Sequence, residues 1–511
     1  MTLEELKSNL VSQYKIDCFL AIEQLEQHPS STLYNSLVTY QKSAYDDDYR
    51  FVFFNFSPVQ KQTLEHVISV INYIDISPYF VAVYSNQPDT VEFFLSRSIN
   101  VTTIDIDHEF PVGYDTPMFN TDQSMCAYAW AGLHVRSGGS VAPCCEYNTT
   151  ISNYNIKQHS IKEILHSDYM KDLRDQFRKG QRPSGCKSCF YLKDQQRPSR
   201  MSMAPYQLEN LYGKIDWESD SPVVRYIGGH FGNLCNLKCR ICIPENSSVI
   251  AAEELSIIPP NQVKHHPAYK SLTDGRWSKN SDDFWISLKQ NVPDLCNYEF
   301  LGGEPLLLKE NLDFLQFIVD SGHSKNTIVE LVTNGTRYPE IFDQAHKFKR
   351  FTVTVSVDNT GARFELERSG CTWNQLKKTV ANFVNSSKQN PSLKIGVHVT
   401  VNIQNVLYIP ELIEWINQSG IDHYNFKMLS YPDYLSIENI TQAAKKLILT
   451  KLTNANVSQA DQQHLDFIIG EVAQASTSDG REFCQYMKQK DKLRKENFGE
   501  THAEIAQAMG Y

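Results

Sequence analysis

Runs of apolar, β-branched and aromatic residues alternate along this chain with stretches whose apolar positions recur at helical spacing. From about residue 222 to 430 the runs are VVRYIGG (223–229), YEFLG (298–302), IVELVTNG (328–335), FTVTVSVD (351–358), LKIGVHVTVN (393–402) and YNFKML (424–429), each the length and composition of a strand. Strands separated by helical patterns predict a parallel sheet, because a parallel connection must cross the sheet and a helix is the usual crossover. Six such units predict an α/β architecture, a (β/α)6 partial TIM barrel related to the full eight-fold barrel. Residues 256–296 interrupt the alternation after the first of these strands, with Pro259, Pro260 and an apolar segment at Phe284–Leu288. Insertions of that length are usually functional loops or added helices.

The flanking regions have other periods. In the first, residues 1–115, RFVFFNF (50–56), YFVAVYS (79–85) and VTTIDID (101–107) read as strands. Helical patterns near 58–71 and 88–98 lie between them, and Thr2 with Glu5 forms a capping box ahead of Leu3, Leu6 and Leu10. This predicts a small α/β domain, and no glycine-rich phosphate loop follows its strands. In residues 120–200, CAYAWAGLHV and SVAPCC flank RSGG and read as a hairpin. A helix is predicted near 160–179, capped by Gly180. The partial barrel is expected to span 222–432, and a charged helical tail 433–511, whose apolar patch is Leu465, Phe467, Ile468 and Ile469.

Composition narrows the class. Acidic residues outnumber basic ones by 59 to 49, a net charge of -10, which argues against a nucleic-acid surface as the main business. The N-terminus has no signal-peptide core, and no apolar run approaches the roughly 20 residues that span a bilayer, so a cytoplasmic protein with no membrane partner is expected. Twelve cysteines in a reducing compartment call for a reason other than disulfides. Eight of them fall between Cys126 and Cys242, which points to metal or cluster ligation; Cys18, Cys296, Cys371 and Cys484 are scattered and read as small buried hydrophobes.

The tightest group is Cys235, Cys239 and Cys242, a C-x3-C-x2-C spacing directly after a predicted strand. Three thiolates can hold three irons of a [4Fe–4S] cluster and leave the fourth iron open, whereas electron-transfer clusters use four cysteines. Zinc is the alternative, with His230 as the nearby fourth ligand. Placed at the end of the first barrel strand, this spacing resembles the signature of the radical S-adenosylmethionine (SAM) superfamily. Ile241 stands where the superfamily usually has an aromatic residue.

What the resemblance implies continues in strand order, since functional groups of such barrels sit at the C-terminal strand ends. Gly302, Gly303, Glu304 and Pro305 resemble the GGEP-like motif that holds the methionine amino group of SAM, with the carboxylate able to accept from an ammonium. Thr333 and Asn334 close the third strand; Ser356 and Asp358 close the fourth and share one face. Polar groups there contact the ribose or amino-acid part of SAM in family members. Arg368 resembles the arginine that pairs with the SAM carboxylate, a task suited to a guanidinium, and Asn402 is a further candidate on the fifth strand. Lys427, on the sixth, could face either side, and His398 and Tyr424 are candidate lumen residues.

A second group runs Cys126, a hairpin, Cys144–Cys145, a helix, then Cys186 and Cys189. By ligand count it suits a zinc ribbon as well as iron and sulfur. The order hairpin–helix, with GSVAPC, CKSC and the closing RPSR (197–200), resembles the SPASM/Twitch auxiliary-cluster modules of radical SAM maturases, here in an N-terminal position. That implies a second, auxiliary [4Fe–4S] cluster on Cys126, Cys144, Cys186 and Cys189, with Cys145 the spare thiol.

The function implied is a radical SAM enzyme that reductively cleaves SAM to a 5′-deoxyadenosyl radical and abstracts hydrogen from a substrate. The expected electron donor is a one-electron reductant such as flavodoxin or ferredoxin. By resemblance the substrate is a peptide or protein side chain. The alternatives are a small molecule such as a sugar or nucleotide, and a zinc-binding interaction protein without catalysis.

Overall fold

The computed structural model describes residues 125–194, 199–208, 215–219 and 222–511, together with three short strands nearer the N-terminus. It divides into two compact units, Met1–Gln123 and Ser124–Tyr511. In the first, strands β1 (Val52–Asn55), β2 (Val81–Tyr84) and β3 (Val101–Thr103) form a parallel sheet in the order β1-β2-β3. The capping box at Thr2, the helical patterns near 58–71 and 88–98, and Cys18 lie outside the described residues.

The second unit is mixed α/β and is built on one sheet. Its strands are β4 (Gly132–Val135), β5 (Val141–Ala142), β6 (Tyr226–His230), β8 (Asn297–Leu301), β9 (Ile328–Thr333), β10 (Arg350–Ser356), β12 (Leu393–Val401) and β13 (His423–Met428). The order is β13-β12-β10-β9-β8-β6-β4-β5, with β5 alone antiparallel to its neighbour. A separate two-residue ladder pairs β7 (Lys238–Cys239) with β11 (Arg368–Ser369).

The six runs expected as strands all lie in the sheet. Unexpected is a seventh parallel strand: β4, from the hairpin, pairs with β6, Gly132 opposite Tyr226 and Val135 opposite Gly229. The apposition is tight at Gly229, whose φ is +131° and where a Cβ would sit 1.9 Å from the Val135 carbonyl. The hairpin itself is shorter than the sequence suggests, because the alanine-rich start of CAYAWAGLHV forms a helical turn at Tyr128–Ala131. The helix expected over 160–179 is two helices, α1 (Ile161–Leu165) and α2 (Asp168–Arg178), interrupted where Ser167 caps the second. Helices α3 (Lys187–Asp194) and α4 (Arg200–Leu208) complete this region.

Alternation decides the two faces of the sheet. Phe351, Val353 and Val355 of β10 and Leu393, Ile395, Val397, Val399 and Val401 of β12 are fully buried. They share one core with apolar residues of α8 (Lys309–Asp320), α10 (Trp373–Gln389) and α11 (Ile409–Ser419), among them Phe314, Leu376, Phe383 and Leu412. Each such side chain contributes about 1.5–3 kcal/mol on burial, so this layer carries most of the stability. The opposite face is polar: Glu299, Glu330, Arg350, Thr352, Thr354, Ser356, Lys394, His398 and Thr400. Lys427 Nζ on β13, at one end of the strand order, lies 3.2 Å from Glu146 Oε1, four residues past β5 at the other end.

The insertion is helical: α5 (Ser248–Ser256), α6 (Pro267–Asp274) and α7 (Asp282–Gln290), with α9 (Gly361–Glu367) later beside β11. Phe231 joins the α7 helix to the core through tilted ring contacts with Phe284 and Trp285 and an edge contact with Phe300. The tail forms α12 (Gln442–Thr453), α13 (Gln459–Gln474), α14 (Arg481–Arg494), α15 (Phe498–Thr501) and α16 (Ala503–Met509), with Leu465 and Ile468 in the main core. Among the described residues no helix is long and apolar enough to cross a membrane.

Candidate functional site

Cys235, Cys239 and Cys242 lie on the loop that leaves β6, and all three thiols are close enough to raise one another's pKa. Burial is the larger cause, pushing Cys239 up to about 11 against the opposing charge of Arg368. A buried thiol of this kind stays protonated until a cation compensates it, which is the behaviour of a metal or cluster ligand. The loop is held at several points. Asn233 Nδ2 donates to Ser271 O (2.8 Å), and Asn233 N donates to Gly275 O (2.7 Å), so the insertion helix α6 anchors its start. Cys235 N donates to Ser248 Oγ (3.2 Å) at the head of α5.

The strand-end motifs meet the same loop. Gly302 and Gly303 let backbone pass backbone: a Cβ at Gly302 would lie 2.6 Å from Gly232 O, and one at Gly303 2.4 Å from Leu234 O. Glu304 is fully buried, its N–H on Leu234 O (2.7 Å). Its carboxylate accepts from Leu306 N (3.0 Å), Thr333 Oγ1 (2.8 Å) and Asn334 N (2.6 Å). It therefore ties the end of β8 to the end of β9. Pro305 is buried beneath it. Asn334 reaches the cysteine loop through Asn236, Nδ2 to Oδ1 at 2.9 Å.

Arg368 and Asp358, expected as separate ligand contacts, are partners. Arg368 Nε and Nη2 lie 2.9 and 2.6 Å from Asp358 Oδ2, and Nη1 lies 3.8 Å from Cys239 Sγ. Asp358 Oδ1 accepts from Thr400 N (2.9 Å), locking the ends of β10 and β12 together. The guanidinium is thus placed beside a thiol by the short ladder β7–β11, in which Arg368 faces Cys239. Ser356 is half-buried on the polar face, in line with Thr354 and Thr352. Asn402 is fully buried and spent on its own turn, bonding Gln404 N, Gln404 Nε2 and Thr400 O. Tyr424 points away to Asp461 on α13, while His398 bonds Asn425 on the polar face.

The second group comes together across the hairpin. Each of the six pairs among Cys126, Cys144, Cys186 and Cys189 interacts electrostatically. Cys189 is raised by burial, while N–H groups of Met201 and Arg200 at the start of α4 and the Ser199 hydroxyl draw it down. Cys145 looks elsewhere: burial raises it to about 11, and its strongest neighbours are Arg200, Glu299, Glu146 and Lys427. Arg200 lies over the rings of Tyr128 (4.6 Å) and Tyr226 (5.3 Å), and Tyr226 donates to Glu299. His230, the candidate fourth zinc ligand, packs its ring on His134 at 6.3 Å, and burial lowers its pKa to about 4. Among the described residues no three His, Cys, Asp or Glu side chains are set to hold a single metal ion. Four thiols in one group and three in the other are donor sets for metal or for an iron–sulfur cluster.

Residues 126–190 match the SPASM family, described as an iron–sulfur cluster-binding domain. The match takes in all five cysteines of the second group and none of the first. No curated protein matches the chain. Among solved structures, anSMEcpe with bound AdoMet is 18% identical, with a TM-score of 0.33, over 50% of this chain and 64% of that one. Streptococcus suis SuiB bound to S-adenosylmethionine is 16% identical (TM-score 0.28, 50% and 46% covered). SuiB bound to precursor peptide SuiA is 16% identical (TM-score 0.26, 50% and 48%). The chain thus spans a little under two thirds of the length of anSMEcpe.

Sequence reasoning missed the residues that hold the cysteine loop. Arg240, between two cysteines, reads as a surface charge yet is fully buried, and its partners Asp491 and Glu496 come from the tail. Only the separation of 251 residues between Arg240 and Asp491 hides the pair. Asn233 and Asn236, beside the cysteines, were within reach of inspection.

Proposed function

We propose that this chain is a radical SAM enzyme with a partial-barrel core and a SPASM-type auxiliary module, acting on a peptide or protein side chain. The observation that carries the reading is the convergence of the Cys235, Cys239 and Cys242 thiols with the Gly302–Pro305, Thr333–Asn334 and Asp358–Arg368 elements at the ends of successive parallel strands. When bound, a [4Fe–4S] cluster on these thiols with SAM on its open iron supplies reductive cleavage to methionine and a 5′-deoxyadenosyl radical that takes a substrate hydrogen. The protein's part is to bind, orient and exclude water. Gly302 and Gly303 offer carbonyls to the SAM ammonium. Arg368 compensates charge at Cys239. The polar row Thr352, Thr354, Ser356, His398 lines the face on which SAM and substrate lie. Cys126, Cys144, Cys186 and Cys189 hold the auxiliary cluster, and a flavodoxin or ferredoxin supplies the electron. The peptide substrate is favoured by the resemblance of the cysteine pattern to the SPASM/Twitch modules of radical SAM maturases, and the match of residues 126–190 to an iron–sulfur cluster-binding domain supports the module itself.

The test is anaerobic purification followed by metal and product analysis. Iron and sulfide near eight each per chain are expected. SAM with dithionite should release 5′-deoxyadenosine, and Cys239→Ala should abolish that release. Zinc in place of iron would sink the proposal and leave a zinc-binding protein.

A further inference from the structure

The tail is built into the candidate active site. Its helix α14 and the turn after it meet the segment Lys238–Cys242 through both side chains and backbone. Arg240, fully buried, bonds Asp491, Glu496 Oε2 (2.6 Å) and the Met487 sulfur (3.1 Å). The Arg240 carbonyl accepts from Tyr486 Oη (2.6 Å), and the Lys238 carbonyl from Arg494 Nη1 (2.8 Å). Arg494 also grips Glu253 of α5 at 2.9 and 2.8 Å, where Lys490 joins at 2.8 Å. On the other side, Glu496 Oε1 accepts from Ser369 Oγ (2.6 Å), and Arg240 N donates to Glu367 O (2.8 Å). His502 of the tail meets Glu367 at 2.9 Å. The far end of α14 is closed in turn, since Asp491 Oδ2 accepts from Phe498 N (2.6 Å) and Tyr511 Oη (2.5 Å).

Taken together, four cations (Lys238, Arg240, Lys490, Arg494) and three carboxylates (Glu253, Asp491, Glu496) pair with one another around a loop that carries the second and third thiols. A buried arginine is costly unless paired; here Nη1 and Nη2 are bonded while Nε has no partner among the described residues, so this residue is a poor choice for mere filling. The tail fixes the backbone on both sides of Cys239, Arg494 at the Lys238 carbonyl and Tyr486 at the Arg240 carbonyl, and Arg240 ties that segment to it. We propose that Arg240 is a positioning residue and that the terminal segment from α14 onward is a clamp that sets the geometry of the three-cysteine site, resting on the function proposed above. The clamp acts on that site and not on the four-cysteine group, whose thiols find their partners in one another and in Tyr128, Cys145, Glu146, Ser199, Arg200 and Met201, none of them in the tail.

The experiment compares the wild-type chain with Arg240→Gln, Arg240→Lys and Glu496→Gln, all full length and anaerobic. Arg240→Gln should keep its far-ultraviolet dichroism and about four of the roughly eight irons, losing those of the three-cysteine site. Its SAM-dependent change in the electron paramagnetic resonance spectrum should vanish, and 5′-deoxyadenosine release should fall about 10–100-fold, the usual cost of losing an outer partner of a ligand. Arg240→Lys, which keeps the charge without the fork, should recover part of the iron and product. Should Arg240→Gln not fold, Glu496→Gln removes one carboxylate and leaves Asp491; faster loss in air of the SAM-responsive signal than in wild type is then expected. Eight irons with an unchanged spectrum in Arg240→Gln, or equal loss rates in Glu496→Gln, would overturn the clamp. Wild type without iron overturns the function itself, a separate result.

Discussion

The two cysteine groups of this chain solve different problems. The group at Cys126–Cys189 has four converging thiols, and its main supports are local: the Ser199 hydroxyl, the start of α4 and the turns between the cysteines. The group at Cys235–Cys242 has three, and almost everything that holds it comes from far along the chain: Ser248, Gly275, Asn334, Arg368, Arg494. A four-thiol site completes its own coordination and can be a compact module. A three-thiol site leaves a position open, so the surrounding fold must supply both the support and the ligand contacts.

That contrast can be broken most sharply at the neighbouring cysteines. Cys144→Ala should lose the auxiliary cluster, about four irons, whereas Cys145→Ala should keep all of them, because its thiol faces Arg200 and Glu299. The reverse result, read by iron assay, would exchange their roles and undo the account of the four-thiol site.

At the three-thiol site, Asp358→Asn leaves Arg368 buried without its carboxylate. A loss of about 3–5 kcal/mol in denaturant unfolding is expected, the cost of an uncompensated buried charge. A variant as stable as wild type would mean that solvent reaches the guanidinium and that the site is looser than its geometry.

A smaller effect concerns pH. Burial pushes the Glu253 carboxyl up, but hydrogen bonds from Arg494 and Lys490, with their charge, outweigh it and bring it down to about 2. A depressed folded pKa contributes stability that is complete above the unfolded value, about 4.3, and is lost as pH falls towards 2. Glu253→Gln should therefore be less stable than wild type at neutral pH, and the gap should close between roughly pH 4 and 2. A gap independent of pH would assign the loss to shape rather than charge.

Much of this was legible in the chain itself. The alternation within β10 and β12 marks their buried and polar faces, and the six strands from Tyr226 to Met428 fall where periodicity puts them, since side-chain period depends only on local geometry. Cysteine spacing likewise announces two ligand groups, because ligands of one centre are often neighbours in sequence. What periodicity could not reveal is pairing between distant segments. Nothing local in GLHV tells that β4 adds a seventh parallel strand, as register is decided by which edge is open.

The same limit governs the site. Composition and spacing determined which residues are chemically able to act: the cysteines, the glycine turn, the strand-end polar groups. Only the tertiary structure decided what each is for. It turned the Glu304 carboxylate inward on three donors, paired Arg368 with Asp358, gave Cys144 the thiols of Cys126 and Cys189 and Cys145 the carboxylates of Glu299 and Glu146 as neighbours, and closed the tail over Arg240. A buried polar group must find a partner, and the partner is whichever complementary group the packed chain brings within hydrogen-bond reach.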